Sequence, residues 1–301
     1  MSGGNGYSPI LTFAKPPERV VSLVPSATDS LFALGAGRYL VGVTDFCRPP
    51  TEALDRLSRV GGTKSPAVEA ILKLKPELVI ANQEENSRET VEALEAAGVK
   101  VWVTFPRSVD EALRMLWILI RLFDVPQSAP ILKTLEVTLA WQDQAVTQRP
   151  LVRTFCPIWQ EPTSDGGCWW MTFNRDTYAH SVLGHCGGAN IFADRPRRYP
   201  LEADLGQIPA EDAGERDTRY PRVALPEVLE AAPEVILLPT EPFAFTPEDA
   251  VRFQALLVDA PAARNQRIHL VDGSLLTWHG TRLAKALAEL PAYFDTAPSG
   301  A

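Results

Sequence analysis

Two stretches of the chain decide its fold. Residues 68–86 read VEAILKLKPELVIANQEEN, and residues 226–243 read PEVLEAAPEVILLPTEPF. Each stretch has a short helical pattern, a proline, an acidic residue, an apolar run of strand length and a polar loop. Because their identity is low, we interpret the echo as shared topology. The two stretches predict two similar α/β units.

The same alternation of strands and helices continues along the chain. It begins with an apolar strand at residues 19–25 (RVVSLVP) and a helix at residues 26–34 (SATDSLFAL). Strands that alternate with helices form a parallel sheet with right-handed crossovers. The sequence therefore predicts an α/β protein of two Rossmann-like lobes, each with a central parallel sheet.

Residues 126–148 separate the two halves. This stretch has no glycine, and it has no proline after Pro130, so it predicts one helix of about 20 residues, roughly 30 Å long. The helix is either an ordinary packed helix or a strut that joins two lobes. The sequence predicts a tail at residues 1–18, an N-terminal lobe at 19–124 and a backbone helix at 125–149. A C-terminal lobe follows at 150–295, with an aperiodic surface insertion at 193–222.

Charge and hydropathy exclude several classes of protein. The chain of 301 residues has 29 Lys and Arg against 37 Asp and Glu, which gives no basic surface for nucleic acid or for an anionic membrane. Its longest apolar run, residues 115–123, is too short to span a membrane. Residues 1–20 lack the pattern of a secretory signal. We expect a cytoplasmic protein as written, or a periplasmic or cell-surface one if a leader precedes it.

The common catalytic and metal signatures are absent from the sequence. It contains no GxGxxG, GxxxxGK[ST], GxSxG or HExxH motif. All four histidines lie in the second half, so we predict no metal site shared by two lobes. The four cysteines form no CxxC pair and are interpreted as buried or incidental thiols.

Aromatic and polar residues follow the predicted strands. Ligands of α/β sheets bind at these strand ends, and aromatic faces with a few polar groups suit a large, flat, partly apolar ligand. Glu84 and Glu85 could form a carboxylate pair, but adjacent extended residues point to opposite faces, which favours a solvated turn. We expect the following residues to line a cleft between the lobes: Phe46, Cys47, Gln83, Glu84, Trp169, Trp170, Met171, Tyr199, Phe243, Phe245, Trp278 and His279.

Three segments together resemble a known family. They are residues 19–50 (RVVSLVPSATDSLFALGAGRYLVGVTDFCRPP), residues 68–86 and residues 169–192 (WWMTFNRDTYAHSVLGHCGGANIF). The chain resembles, over roughly residues 19–290, the helical-backbone (class III) periplasmic-binding-protein family, which captures cobalamin, haem and ferric siderophores for ABC importers. It is most similar to the cobalamin-binding branch. The resemblance implies two Rossmann-like lobes joined by one long helix, with the ligand cleft between them.

The resemblance also implies roles for residues. Phe46, Trp170 or Met171, and Tyr199 correspond to ligand-stacking aromatics, and Trp278 lies near the last binding loop. Thr63 and Asn82 stand where cobalamin binders can place tryptophans. The implied ligand is a corrinoid first, then an iron chelate such as a ferric siderophore, or haem, bound by a monomer without a covalent cofactor.

An ABC permease is the implied protein partner. The family docks on its permease through one surface glutamate in each lobe, seven residues before the proline that precedes a strand. Glu69 holds this position before Pro76. The matching position before Pro233 is Pro226, and the nearest acid is Glu227.

Two other functions stay open at this point. One is a cytoplasmic corrinoid- or metal-handling enzyme on the same lobes, with Glu84, Glu241 or His279 in acid–base roles. The other is a structural or regulatory partner of an ABC system.

Overall fold

The computed structural model describes residues 13–163 and 167–295, which divide into two compact units. The boundary between the units lies within the long helix, after Glu136. The first unit comprises the described chain to Pro106, with Asp110–Glu136 and Trp278–Arg282; the second comprises Arg107–Val109, Val137–Thr277 and the described chain from Leu283.

A five-stranded parallel sheet forms the centre of the first unit. Its strand order is β3-β2-β1-β4-β5, so the order reverses direction at β1. Such a switch point opens a crevice at the carboxyl ends of the strands. The strands are β1 Val20–Ser22, β2 Leu40–Val43, β3 Ser58–Arg59, β4 Leu78–Asn82 and β5 Lys100–Thr104; the helices are α1 Pro25–Ala33, α2 Val68–Lys73, α3 Arg88–Ala96 and α4 Val109–Leu122. The long helix α5, Ala129–Thr147, belongs to both units.

Two sheets form the second unit. The predicted parallel sheet has the order β12-β11-β6-β9, and a separate antiparallel sheet has the order β10-β8-β7. The strands are β6 Val152–Phe155, β7 Trp159–Pro162, β8 Cys168–Met171, β9 Gly188–Asn190, β10 Arg222–Ala224, β11 Val235–Pro239 and β12 Ile268–Val271. The helices are α6 Tyr178–Cys186, α7 Leu201–Asp204, α8 Leu225–Glu230, α9 Pro247–Leu256, α10 Pro261–Arg264, α11 Ser274–Thr277 and α12 Leu283–Glu289.

The two stretches that predicted the fold have the same local structure. In the first unit, Lys75 has a φ of 48° between α2 and Pro76, and the Arg19 Nε donates to the Leu74 carbonyl at 2.9 Å. The Glu77 carboxylate accepts the backbone N–H of Arg19 at 3.0 Å. These contacts fasten the end of the helix to the start of β1.

The second unit repeats this junction. Ala232 has a φ of 43° before Pro233, and the Arg153 guanidinium donates to the Ala231 carbonyl. The Glu234 carboxylate accepts the backbone N–H of Arg153 at 3.0 Å. The predicted similarity in topology is therefore confirmed. The two junctions also have corresponding hydrogen bonds.

The prediction of one long helix is confirmed by α5, which has 19 residues. No helix among the described residues has the length and apolar character needed to cross a bilayer.

The insertion at residues 193–222 is more ordered than the sequence predicts. It contains α7 and the first residue of β10, and it is organised around Asp204, whose side chain is buried. The Asp204 carboxylate accepts hydrogen bonds from Arg195 Nη1 at 2.8 Å, from the Arg198 N–H at 2.9 Å and from the Arg222 N–H at 2.7 Å. Sequence periodicity could not reveal this, because a buried carboxylate takes the place of an apolar core.

Candidate functional site

At the strand ends of the first unit, a buried polar network surrounds His279. The His279 ring is 4% exposed, and its Nε2 lies 3.3 Å from Asn82 Nδ2 at the end of β4. Its Nδ1 lies 3.4 Å from Ser26 Oγ in the first turn of α1. Two residues further on, the Thr281 N–H donates to Ser30 Oγ at 3.1 Å. The prediction that His279 lines a ligand cleft is therefore corrected: its ring is buried and holds residues 278–282 on α1.

The protonation state of His279 follows from Asn82. The Asn82 Oδ1 accepts the Glu84 N–H at 2.8 Å, which leaves Asn82 Nδ2 to face the imidazole. Because Nδ2 can only donate, His279 Nε2 accepts, and this requires a neutral ring with its proton on Nδ1. Burial lowers the His279 pKa to about 4. A group with this pKa is poorly matched to general-base catalysis at neutral pH, which counts against the acid–base role considered for it.

Phe46 is the most exposed aromatic residue at this edge. Its side chain is 63% exposed, and its ring lies close to Gly62, where an added Cβ would meet Phe46 Cε2 at 3.6 Å. Gln83 is also exposed, and Glu84 is half-buried. These three side chains can reach a ligand from the first unit.

Cys47 cannot reach a ligand. Its thiol is buried between the hydroxyls of Thr28 and Thr44, each 3.2 Å from Sγ, and burial raises its pKa. The prediction of Cys47 as a binding residue is therefore wrong. The general prediction of buried thiols is confirmed for Cys47, Cys156 and Cys186, whereas Cys168 is half-buried.

Trp278 is half-buried in the first unit. The Arg282 guanidinium lies over its ring, 5.1 Å from the centroid, and pairs with Asp29 at 3.0 Å. The ring is thus held in place by a cation that has its own carboxylate partner.

In the second unit, the antiparallel sheet separates two adjacent tryptophans. Opposite Trp170 on the neighbouring strands lie Gln160 and Val223, and this face of the sheet belongs to the core. Trp170 is fully buried, with ring centroids 6.1 Å from Phe155 and 5.1 Å from Phe253. The prediction of Trp170 as a stacking residue is therefore corrected in favour of its alternative, Met171.

The other face of this sheet presents a row of three residues, Trp159, Met171 and Arg222, which we call the Trp–Met–Arg row. They lie directly opposite one another on β7, β8 and β10, and all three are half-buried. Trp169 lies on the same face and is 7% exposed, with the Arg222 guanidinium 5.9 Å from its ring centroid. The row combines an aromatic ring, a polarisable thioether and a cation.

The loop after β11 extends this aromatic surface. The Phe243 ring meets Trp159 edge-on at 5.6 Å and lies 4.7 Å from Phe245, which is buried in the core. The loop backbone packs so closely at Glu241 that a Cβ on Gly273 would lie 2.4 Å from the Glu241 carbonyl oxygen. Phe243 therefore has a fixed position next to Trp159.

Tyr199 is surrounded by arginines. Its hydroxyl donates to the Asp217 carbonyl at 2.6 Å, and the guanidiniums of Arg197 and Arg216 lie 4.3 and 4.1 Å from its ring centroid. The hydrogen bond and the two cation–π contacts stabilise the insertion. The two cation–π contacts engage the ring that the sequence assigns to ligand stacking.

The two predicted docking glutamates differ. Glu69 is exposed in the first turn of α2. The Glu227 carboxylate accepts a hydrogen bond from Arg195 Nε at 2.7 Å and is half-buried. The prediction for Glu227 is therefore corrected, because this carboxylate takes part in an ion pair within the second unit.

Trp159 and Arg222 are two site residues that were not predicted from the sequence. Both lie in short strands that were not predicted, within PIWQEP before the glycine-rich turn and PRVAL at the end of the insertion. The alternation within the CWWM strand was a usable signal, because residues 169 and 171 must share a face and Trp170 must lie on the other.

Comparison with known proteins identifies relatives of this chain. Residues 20–126 match a family described as "Periplasmic binding protein". The vitamin B12-binding protein of Vibrio cholerae serotype O1 is 26% identical over 289 residues, which covers 94% of this chain and 91% of the relative.

Solved structures share the fold. The periplasmic vitamin B12 binding protein of Vibrio cholerae superimposes with a TM-score of 0.71 at 24% identity, over 93% of this chain and 97% of that protein. A periplasmic heme-binding protein from Roseiflexus sp. RS-1 superimposes with a TM-score of 0.70 at 24% identity, over 92% and 97% of the two chains. The resemblance to the helical-backbone periplasmic-binding-protein family, and to its cobalamin-binding branch, is confirmed.

Proposed function

We propose that this chain, like the relatives it resembles, binds a corrinoid or a related metal chelate without covalent chemistry, as the substrate-binding protein of an ABC importer. The observation that carries the proposal is the Trp–Met–Arg row with Phe243 beside it. A flat macrocycle can lie on the aromatic and thioether groups while the cation meets a polar substituent at its edge.

The remaining aromatic residues divide between contact and support. Phe46 is proposed as a ligand contact because its ring is exposed, whereas Trp169, Phe245 and Trp278 support the surfaces around them. Gln83 and Glu84 are proposed as polar contacts.

We propose a periplasmic location and a permease partner. The solved relatives are named as periplasmic proteins, and the expectation of a cytoplasmic protein receives no support from them. Glu69 is the docking carboxylate in this proposal, because it is exposed and Glu227 is paired within the second unit. Pull-down from membranes that contain the permease should weaken with Glu69→Ala and persist with Glu89→Ala, an exposed glutamate of α3.

The ligand proposal is tested by titrating the purified protein with cyanocobalamin, dicyanocobinamide, haemin and a ferric siderophore. We expect at least one of them to bind with one-to-one stoichiometry and to raise the melting temperature by mass action. If none of these compounds, at high micromolar concentration, gives a heat of binding in the titration or changes the melting temperature, the proposal is wrong.

A matched pair of variants locates the site. Trp159→Ala should weaken binding by about thirtyfold, because about 2 kcal/mol of aromatic burial is lost. Trp141→Ala removes a tryptophan that is 71% exposed on α5, and it should leave binding unchanged.

A further inference from the structure

We infer that Arg197 and Arg222 form an anion-accepting subsite on the second unit, which takes a phosphate or carboxylate group carried by the ligand. This inference deepens the proposed function and rests on it, since it identifies the part of the ligand that one end of the Trp–Met–Arg row recognises.

Asp204 connects the backbone of Arg222 with that of Arg198, the residue after Arg197. One oxygen of its buried carboxylate accepts the Arg198 N–H, and the other accepts the Arg222 N–H. The backbone next to Arg197 is therefore held beside the start of β10. Both guanidiniums lie over aromatic rings, that of Arg197 at 4.3 Å from the Tyr199 centroid and that of Arg222 at 5.9 Å from the Trp169 centroid. Stacking of this kind restricts a guanidinium before a ligand arrives.

Three other arginines of the insertion have carboxylate partners, whereas the exposed Arg198 has no ion pair among the described residues. Arg195 pairs with Asp204 and Glu227, Arg216 pairs with Glu211, and Arg219 pairs with Asp217. In residues 13–163 and 167–295, by contrast, no carboxylate oxygen lies within 4.0 Å of the Arg197 or Arg222 guanidinium. Neither cation is therefore in an ion pair, although Arg222 Nη1 donates to the Tyr220 carbonyl at 2.6 Å and the charges of Asp204 and Asp217 act on Arg222 from farther away.

Two further observations favour an anion beside these guanidiniums. The Nε of Arg197 is buried and has no hydrogen-bond partner among the described residues. Burial, followed by the positive charge of Arg197, lowers the pKa of Arg222. An anion beside both guanidiniums would offset the repulsion between the like charges and accept charge-assisted hydrogen bonds from them.

The position of the subsite defines the ligand chemistry. Arg222 is the end of the row that begins at Trp159, so a macrocycle on the row would place an edge substituent at the two arginines. Cobalamin carries a phosphodiester that cobinamide lacks, and haem carries two carboxylates. The subsite should therefore favour ligands with an anionic arm over neutral ones of the same ring system.

The experiment measures Kd by calorimetry for cyanocobalamin, dicyanocobinamide and haemin, with the wild type, Arg197→Gln and Arg222→Gln. Arg264→Gln is the matched control, since it removes an exposed arginine outside the insertion. Each site variant should lose about tenfold in affinity for the anionic ligand and little for cobinamide, as expected for a lost charge-assisted contact. Arg197→Lys, which keeps the charge, should recover part of the loss.

Several results would overturn the inference. One is an equal loss of affinity for cobinamide and for the anionic ligands. The others are no loss of affinity in either glutamine variant, or the same loss of affinity in Arg264→Gln. Melting curves of the free variants identify any that fail to fold, and for those the lysine variants of both arginines decide the question.

If the wild type binds none of the three ligands, the proposed function fails while the subsite can still be tested. Inorganic phosphate and citrate then serve as probes. A rise in the melting temperature of the wild type that Arg197→Gln and Arg222→Gln abolish would support the anion subsite, and no difference between these proteins would refute it.

Discussion

The two units share one junction and differ at the strand ends next to it. In each unit a residue of positive φ follows a helix and precedes a proline, and an arginine at the start of a neighbouring strand, Arg19 just before β1 or Arg153 in β6, donates to a carbonyl at the end of that helix. Beyond the junction, β4 ends at Asn82 in a network of buried amides and hydroxyls, whereas β11 ends at Pro239 and is followed by aromatic residues. The junction fixes the scaffold, and the loops after the strands give each unit its own chemistry.

The difference has a functional meaning. The first unit uses its polar strand-end groups internally, with His279, Asn82 and Ser26 buried against one another. The second unit presents the Trp–Met–Arg row on a sheet that has no counterpart among the described elements of the first. We therefore expect most of the binding energy to come from the second unit and most of the acid sensitivity from the first.

The largest expected effect separates core from surface in the second unit. Trp170→Ala should lower the free energy of unfolding by about 3 to 5 kcal/mol, because it empties a fully buried site. Trp159→Ala should cost about 1 kcal/mol or less, since its ring is half-buried. Urea unfolding of both variants measures the contrast, and equal losses would contradict the assignment of the two faces.

Acid should destabilise the first unit through His279. The folded-state pKa of about 4 lies below the ordinary 6.5, so the unfolded chain takes up a proton first as the pH falls. The contribution of His279 to the free energy of unfolding is fully present above pH 6.5. It falls by about 3 kcal/mol as the pH is lowered toward 4. Denaturant unfolding between pH 7 and pH 4 measures the slope.

Glutamine at position 279 is the corresponding variant. His279→Gln should flatten the slope, whereas His269→Gln should flatten it less, because that half-buried ring in the second unit has a smaller burial effect on its pKa. An unchanged slope in His279→Gln would show that the buried imidazole is not the acid-sensitive group.

The shared junction predicts a smaller effect. Glu77 accepts two backbone N–H groups, those of Glu18 at 2.6 Å and Arg19 at 3.0 Å, whereas Glu234 accepts that of Arg153. Glu77→Ala should cost about 1 kcal/mol and Glu234→Ala somewhat less. Thermal unfolding compares the two variants. A larger loss of stability in Glu234→Ala than in Glu77→Ala would contradict this prediction.

The smallest effect on stability concerns Phe46. Because its side chain is 63% exposed, Phe46→Ala should change the free energy of unfolding by less than about 0.5 kcal/mol. Ligand affinity should fall severalfold if the ring contacts the ligand as proposed. Calorimetry measures this loss, and unchanged affinity for every ligand that the wild type binds would remove Phe46 from the binding surface.

The sequence predicted the parts of the molecule that depend on periodicity. The two parallel sheets, the long helix and the repeated junction follow from apolar runs, glycine and proline positions and helical spacing. The antiparallel sheet was missed because β7 (WQEP) and β10 (RVA) have no continuous apolar run, and Trp159 and Arg222 were missed with it. Burial of Trp170 depends on which strands lie opposite it, and burial of Cys47 and His279 depends on the side chains that surround them; composition at a strand end reveals neither.

The most direct test of the account is a crystal structure of the protein with the ligand that binds it most tightly. We predict that the ring system of the ligand lies on Trp159 and Met171, with a substituent directed toward Arg222. A ligand bound elsewhere, with the Trp–Met–Arg row uncovered, would contradict the proposed function of this face.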